Sequence, residues 1–155
     1  MSNLKFKEIE VEANLDAIHH VFMQAYAVEA SLLGVSDFPP LNRSKTDLLD
    51  SKNQFFGCFD EALLCGVLEL ETDATPQATI ASLAVHPQQF RRGVATVLVN
   101  GILLMCAAGV RVSTGEANAP ALELYDRLGF SEIQRFMTSD RVAMVELYYH
   151  QTTME

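Results

Sequence analysis

Between Thr79 and Val110 the chain carries two nearly continuous apolar stretches, Thr79–Val85 and Val94–Val110, joined by a turn that holds Pro87, Arg91, Arg92 and Gly93. The first is short, mostly apolar and closed by a proline, which predicts a central strand covered on both faces. The second is interrupted by Thr96, Asn100 and Gly101 and is slightly short for a membrane span. It predicts a core helix, apolar almost all round and buried. A buried strand running directly into a buried helix belongs to a mixed α/β domain.

The rest of the chain fits round this unit. Lys5–Glu12 alternates like a strand, and Asn14 is placed to cap a helix with Leu15, Ile18, Val21, Phe22, Ala25 and Tyr26 on one face. Gly34 and Asp37–Pro40 break that helix, and a short second one is expected from Ser44 around Leu48 and Leu49. Gln54–Phe59 and Ala62–Glu71 read as a hairpin about Asp60–Glu61. Val110–Thr114 is a further strand. Ala119 or Pro120 opens a helix that Gly129 stops. Phe130–Met137 and Arg141–Tyr148 read as closing strands. The predicted order is β-α-α-β-β-β-α-β-α-β-β, a mixed sheet flanked by helices, in a single domain over residues 1–155.

Charge narrows the function classes. Twenty Asp and Glu against 11 Lys and Arg give a formal net charge of −9. Such a chain, with no basic run and no Trp, repels a phosphate backbone, so nucleic acid is an unsuitable partner, whereas a cationic amine is attracted. The charged N-terminus lacks the apolar core of a signal peptide. Cys58, Cys65 and Cys106 form no CxxC pair and leave one odd, which points to reduced thiols in a cytoplasm. The expectation is a soluble, cytoplasmic chain. His19, His20, His86 and His150 show no metal-ligand spacing, so no metal is expected.

Two segments carry chemistry. In Ile80–Leu98 a strand feeds a turn with two arginines and a glycine at a helix start, where unpaired N–H groups and the positive dipole end make an anion site. The bland alternative is a solvated basic turn. In Asn118–Phe130, NAPALELYDRLGF, the leucines and Tyr125 read as a core-facing helix stripe when taken alone.

Together, and in this order, the two segments resemble the GNAT superfamily of N-acetyltransferases. The matching residues are Val85–His86–Pro87, then Arg91–Arg92–Gly93–Val94–Ala95, then Asn118, Ala121, Leu124, Tyr125, Gly129 and Phe130. The resemblance implies acetyl-CoA as co-substrate. Its pyrophosphate would lie on the backbone N–H groups from Arg91 to Thr96, including Arg92, Gly93, Val94 and Ala95. Its pantetheine arm would lie along Leu83, Ala84 and Val85, in a V where this strand parts from Val110–Thr114. It further implies the Val85 N–H as polariser of the thioester carbonyl, Asn118 beside the arm, and Tyr125 as the acid that protonates the departing thiolate.

Two positions depart from the family pattern. Phe90 stands where Gln or Arg is usual, and Ala81 and Ser82 stand where many members carry a glutamate base. The remaining candidate bases are Glu69 and Glu71, which alternation places on one face, either site or solvent. A base matters because a lysine-like amine of pKa about 10.4 costs about 4.6 kcal/mol to neutralise at pH 7, against about 1.4 kcal/mol for an α-amino group. The chain is therefore expected to prefer a low-pKa amine or to borrow a distant carboxylate.

The expected acceptor is a small-molecule or peptide amine. Its pocket is expected between the first two helices, Tyr26 to Leu49, and the Arg135–Arg141 hairpin. The rival readings are a non-catalytic acyl-CoA-binding sensor and an enzyme for longer acyl chains or protein acceptors. The apolar Val142–Tyr149 segment raises a homodimer.

Overall fold

The computed structural model describes residues 3–71, 77–106 and 108–150. Residue 107, within the apolar run, lies outside them. Seven strands form one sheet in the order β1-β2-β3-β4-β5-β7-β6. They are β1 Leu4–Ile9, β2 Gln54–Asp60, β3 Leu63–Glu71, β4 Ala78–Val85, β5 Val110–Gly115, β6 Ser131–Met137 and β7 Ala143–Tyr149. Only β4 and β5 run parallel; every other neighbouring pair is antiparallel. The helices are α1 Val11–Leu33, α2 Lys45–Asp50, α3 Val94–Met105 and α4 Ala119–Arg127, with 3-10 turns at Pro39–Asn42 and Pro87–Gln89. The predicted element order and the mixed α/β class are those observed.

The first boundary moves. β1 ends at Ile9 and α1 starts at Val11, but Asn14 leaves helical geometry at φ −126°, and its Nδ2 donates to the Glu10 carbonyl at 2.9 Å. Asn14 thus marks a break inside α1 instead of capping it. α2 is set by a capping box: the Asp47 N–H donates to Ser44 Oγ, and the Ser44 N–H donates to Asp47 Oδ2.

Helices cover both faces of the sheet. On one face Ile18, Phe22 and Tyr26 of α1 and Leu48 of α2 pack on Phe55, Val67 and Ala84. On the other, Leu98, Val99 and Ile102 of α3 and Leu124 and Tyr125 of α4 pack on Leu68, Ile80, Val112 and Val145. Each fully buried Leu or Ile contributes about 1.5–3 kcal/mol. α3 corrects an expectation. It buries one side only, and Leu104 is 88% exposed, because nothing among the described residues covers its outer surface.

β7 lies inside the sheet, paired to β5 and β6, with Val145, Leu147 and Tyr148 buried. The open edge at that end is β6, where Ile133, Phe136 and Met137 are exposed.

Gly66 lets α3 approach β3. A Cβ there would lie 2.6 Å from Val94 Cγ1 and 3.1 Å from the Ala84 carbonyl oxygen. Gly66→Ala should cost about 1–3 kcal/mol by overpacking. A thermal melt should show it as a Tm drop of roughly 3–10 °C, and an unchanged Tm would mean α3 shifts freely.

Candidate active site

β4 and β5 pair only from Ala78↔Val110 to Ile80↔Val112, although both strands continue. The parting coincides with a bulge. Across β3 and β4, Glu69 pairs with Ser82 but Leu70 pairs with Ile80, which leaves Ala81 extra on β4. Such an insertion bends the strand that carries it, here just where β5 is left behind.

Beyond the bulge, the His86 N–H donates to the Cys65 carbonyl at 2.9 Å. Alternation then turns the backbone N–H groups of Val85 and Leu83 away from β3, toward the gap. Ala84, the third residue expected on the arm, lies two residues before His86, so by the same alternation its backbone groups face β3.

The gap opens into a cavity of about 340 Å³ reached from both faces of the sheet. α1 supplies Tyr26 and Glu29, α4 supplies Tyr125, and the turn after β6 supplies Asp140. Asn118 also lines it, while its Oδ1 caps α4 by accepting from the Ala121 N–H at 3.2 Å. Among the described lining residues the only charged ones are Glu29 and Asp140, both acidic.

Tyr125 is 2% exposed, and its ring meets Phe130 edge-on at 5.1 Å. Its hydroxyl makes no hydrogen bond to any described residue. Burial, reinforced by the nearby Glu29 charge, pushes the phenol well above its ordinary value, so it keeps its proton at any working pH. Tyr26, also raised by burial, donates to Ser82 Oγ at 3.3 Å.

The turn before α3 places Gly93 at φ +83° and Arg91 at φ +66°. The left-handed conformation suits glycine, whereas at Arg91 it stores strain of about 1–3 kcal/mol. The first intrahelical bond runs from the Val97 N–H to the Gly93 carbonyl, so the N–H groups of Val94, Ala95 and Thr96 have no acceptor within the helix. Arg92 is held by Asp60 at 2.9 Å and by Gln89, while Arg91 is exposed. Phe90 is 46% exposed beside them.

The two candidate bases lie elsewhere. Glu69 is 2% exposed and fully engaged. Oε1 accepts from Arg43 Nη1 at 2.6 Å, and Oε2 accepts from Arg43 Nη2 and Asn53 Nδ2 at 2.8 Å and from Ser51 Oγ at 3.3 Å. Burial alone would raise this carboxyl, but the bonds from Arg43 and Asn53 outweigh it and hold it below its ordinary value. Glu71 is exposed at the strand end. Neither lines the cavity.

Of the two carboxylates that do, Asp140 is exposed and Glu29 is partly buried, and Glu29 was not among the sequence candidates. It has no hydrogen bond or ion pair with any described residue, and burial raises its carboxyl above the ordinary value. One signal for it existed: Ile18, Phe22, Tyr26, Glu29 and Leu33 follow helical spacing, so Glu29 is the single charge on an apolar stripe. Among the described residues no group of three His, Cys, Asp or Glu is gathered as for a metal, and no helix is long and apolar enough to cross a membrane. The three cysteines are free, and burial pushes Cys58 up to about 11.

A mixed sheet split between its two parallel strands, with a helix opening from the turn after β4 and a phenol lining the split, is the acetyltransferase fold. The chain superposes on the ribosomal-protein alanine N-acetyltransferase of Escherichia coli with a TM-score of 0.76 and 18% identity, over 98% of this chain and 96% of that one. It matches the PaiA N-acetyltransferase of Thermoplasma acidophilum, a structure solved with coenzyme A, at 0.74 and 17%, over 94% and 98%. In sequence it is 29% identical to protein YqkA of Bacillus subtilis over 133 residues, 84% of this chain. It spans only 38% of that relative's length. The family model for the Acetyltransferase (GNAT) family matches residues 15–130, and the chain belongs to that family.

Proposed function

We propose that the protein is an acetyl-CoA-dependent N-acetyltransferase that acetylates a primary amine by direct attack in a ternary complex. The observation that carries the reading is the gap between β4 and β5, which joins the α1 face of the sheet to the α4 face and holds the Tyr125 hydroxyl, unpartnered, inside it. Family membership and a relative solved with coenzyme A support the choice of donor.

The residues divide the work by face. The N–H groups of Val94, Ala95 and Thr96 and the side chain of Arg91 would hold the pyrophosphate beside α3. They act at close range against a net charge of −9. Leu83 and Val85 offer backbone groups to the arm, and the Val85 N–H stabilises the oxygen that gains charge when the amine attacks. Tyr125 gives its proton to the departing thiolate and regains one from the nitrogen of the new amide. The amine approaches from the opposite face, between α1 and the turn carrying Asp140, where the lining charges favour a cation. Three free thiols fit a reducing compartment, and the reading places the chain in the cytoplasm.

The test is release of CoA thiol from acetyl-CoA against a panel of diamines, monoamines and peptide N-termini. Release that depends on one amine class supports the reading. Acetyl-CoA binding without turnover on any amine would make the protein a sensor of the same fold.

A further inference from the structure

We infer that Glu29 of α1 accepts the proton of the acceptor ammonium, taking the place that Ala81 and Ser82 leave empty on β4. The inference rests on the acetyltransferase reading and names a group within that site.

Geometry selects this residue. A base must lie on the side from which the amine enters and within reach of the gap. Glu29 lines the cavity from α1, while Tyr125 lines it from α4, so the two stand on opposite sides of the gap. Its charge is felt at the Tyr125 phenol across the gap. Of the two carboxylates on the cavity it is the partly buried one, Asp140 being exposed, while Glu69 spends both oxygens on Arg43, Asn53 and Ser51 and Glu71 points into solvent.

The other titratable groups facing the cavity are Tyr26 beside it on α1, Tyr125 on α4 and Asp140 on the turn after β6. Both phenols are kept neutral by burial, and no described Lys, Arg or His lines the space. Glu29 therefore has no cation to neutralise it until the substrate brings one. A partly buried carboxylate with no partner is costly to keep in a protein, and a bound ammonium is the partner that removes the cost.

The step balances. The ammonium gives one proton to Glu29, and the nitrogen lone pair that this frees attacks the thioester carbon. The carbon–sulfur bond breaks, and the thiolate takes the Tyr125 proton. The nitrogen returns a proton to Tyr125, and Glu29 releases its own to water. The acceptor thus binds as a cation and is neutralised in place, which removes the need for a low-pKa amine.

The experiment is the pH profile of kcat/KM for wild type, Glu29→Gln and Glu29→Asp with a lysine-like amine. Acetyl-CoA affinity and Tm are measured for each. In the wild type the active form pairs ionised Glu29 with ammonium, so kcat/KM should rise through the Glu29 pKa, above the ordinary carboxylate value, and then stay level to the amine's pKa near 10.4. Glu29→Gln should fall about a hundred- to a thousandfold at pH 7 and rise tenfold per pH unit up to the amine's pKa, since only free amine then reacts. Glu29→Asp should regain the level region at a lower height. A wild type that is active but shows the same profile as Glu29→Gln overturns the role of Glu29 alone. A wild type that binds acetyl-CoA and acetylates no amine overturns the acetyltransferase reading, and this role with it.

Discussion

Replacing Tyr125 by phenylalanine is expected to cut turnover by about a hundred- to a thousandfold, the range for losing a positioned acid. Stability should be unchanged or slightly higher. The two expectations come from one observation. The ring is deeply buried, while the residue lines the cavity and its hydroxyl makes no hydrogen bond to a described residue. Removing it therefore orphans no partner, and the ring keeps its edge-on contact with Phe130. Packing alone gives no reason for a hydroxyl there, since phenylalanine fills the same space against Phe130. Stopped-flow release of CoA thiol reads the loss, with the KM for acetyl-CoA nearly unchanged. Full turnover in the variant would reduce Tyr125 to a core residue and move the acid elsewhere.

The legible part of this site was the part built on backbone. Val85–His86–Pro87, Arg91–Arg92–Gly93 and Asn118 to Phe130 lie in continuous segments whose spacing along the chain is fixed by strand ends and helix starts. Local sequence therefore places them, and the fold follows, because a buried strand and a helix leave few ways to stack. The segments on the other side of the cavity, Tyr26 to Leu49 and the Arg135–Arg141 hairpin, were readable, but which of their groups face it was not, because they meet only after the sheet forms. Glu29 reaches the cavity from the end of a 23-residue helix, while Asp140 arrives from a turn more than a hundred residues later. Glu69 misled for the same reason: period-two alternation gave its face but could not show that Arg43, from the loop before α2, would already occupy it. The bulge at Ala81 is likewise a property of pairing between two strands, absent from either one read alone.

The second large effect concerns that misleading carboxylate. Arg43→Ala should destabilise the fold by about 3–5 kcal/mol, because it leaves Glu69 charged and buried with neutral partners such as Asn53 and Ser51 and no cation. A melt at pH 7.5 should show a Tm lower by roughly 6–20 °C. The pH dependence fixes the cause. In the wild type the Glu69 carboxyl lies below its unfolded value, so the pair contributes above the ordinary carboxylate pKa of 4.5 and fades as pH falls through the folded one. In the variant, burial acts without the guanidinium and raises the carboxyl above its unfolded value. The penalty is then full at neutral pH and vanishes below the unfolded pKa, so the gap between the two melting curves should close on acidification toward pH 4. Adding Glu69→Gln to Arg43→Ala should regain part of the loss at pH 7.5, since an amide carries no charge to bury. A loss that is equal at both pH values would instead assign the effect to packing of the Arg43 guanidinium on the Phe22 ring, 5.6 Å away. The pair also ties the loop ahead of α2, next to the Phe38–Pro40 wall of the cavity, to β3. On the proposed placement of the amine, its loss should therefore raise the KM for the amine more than the KM for acetyl-CoA.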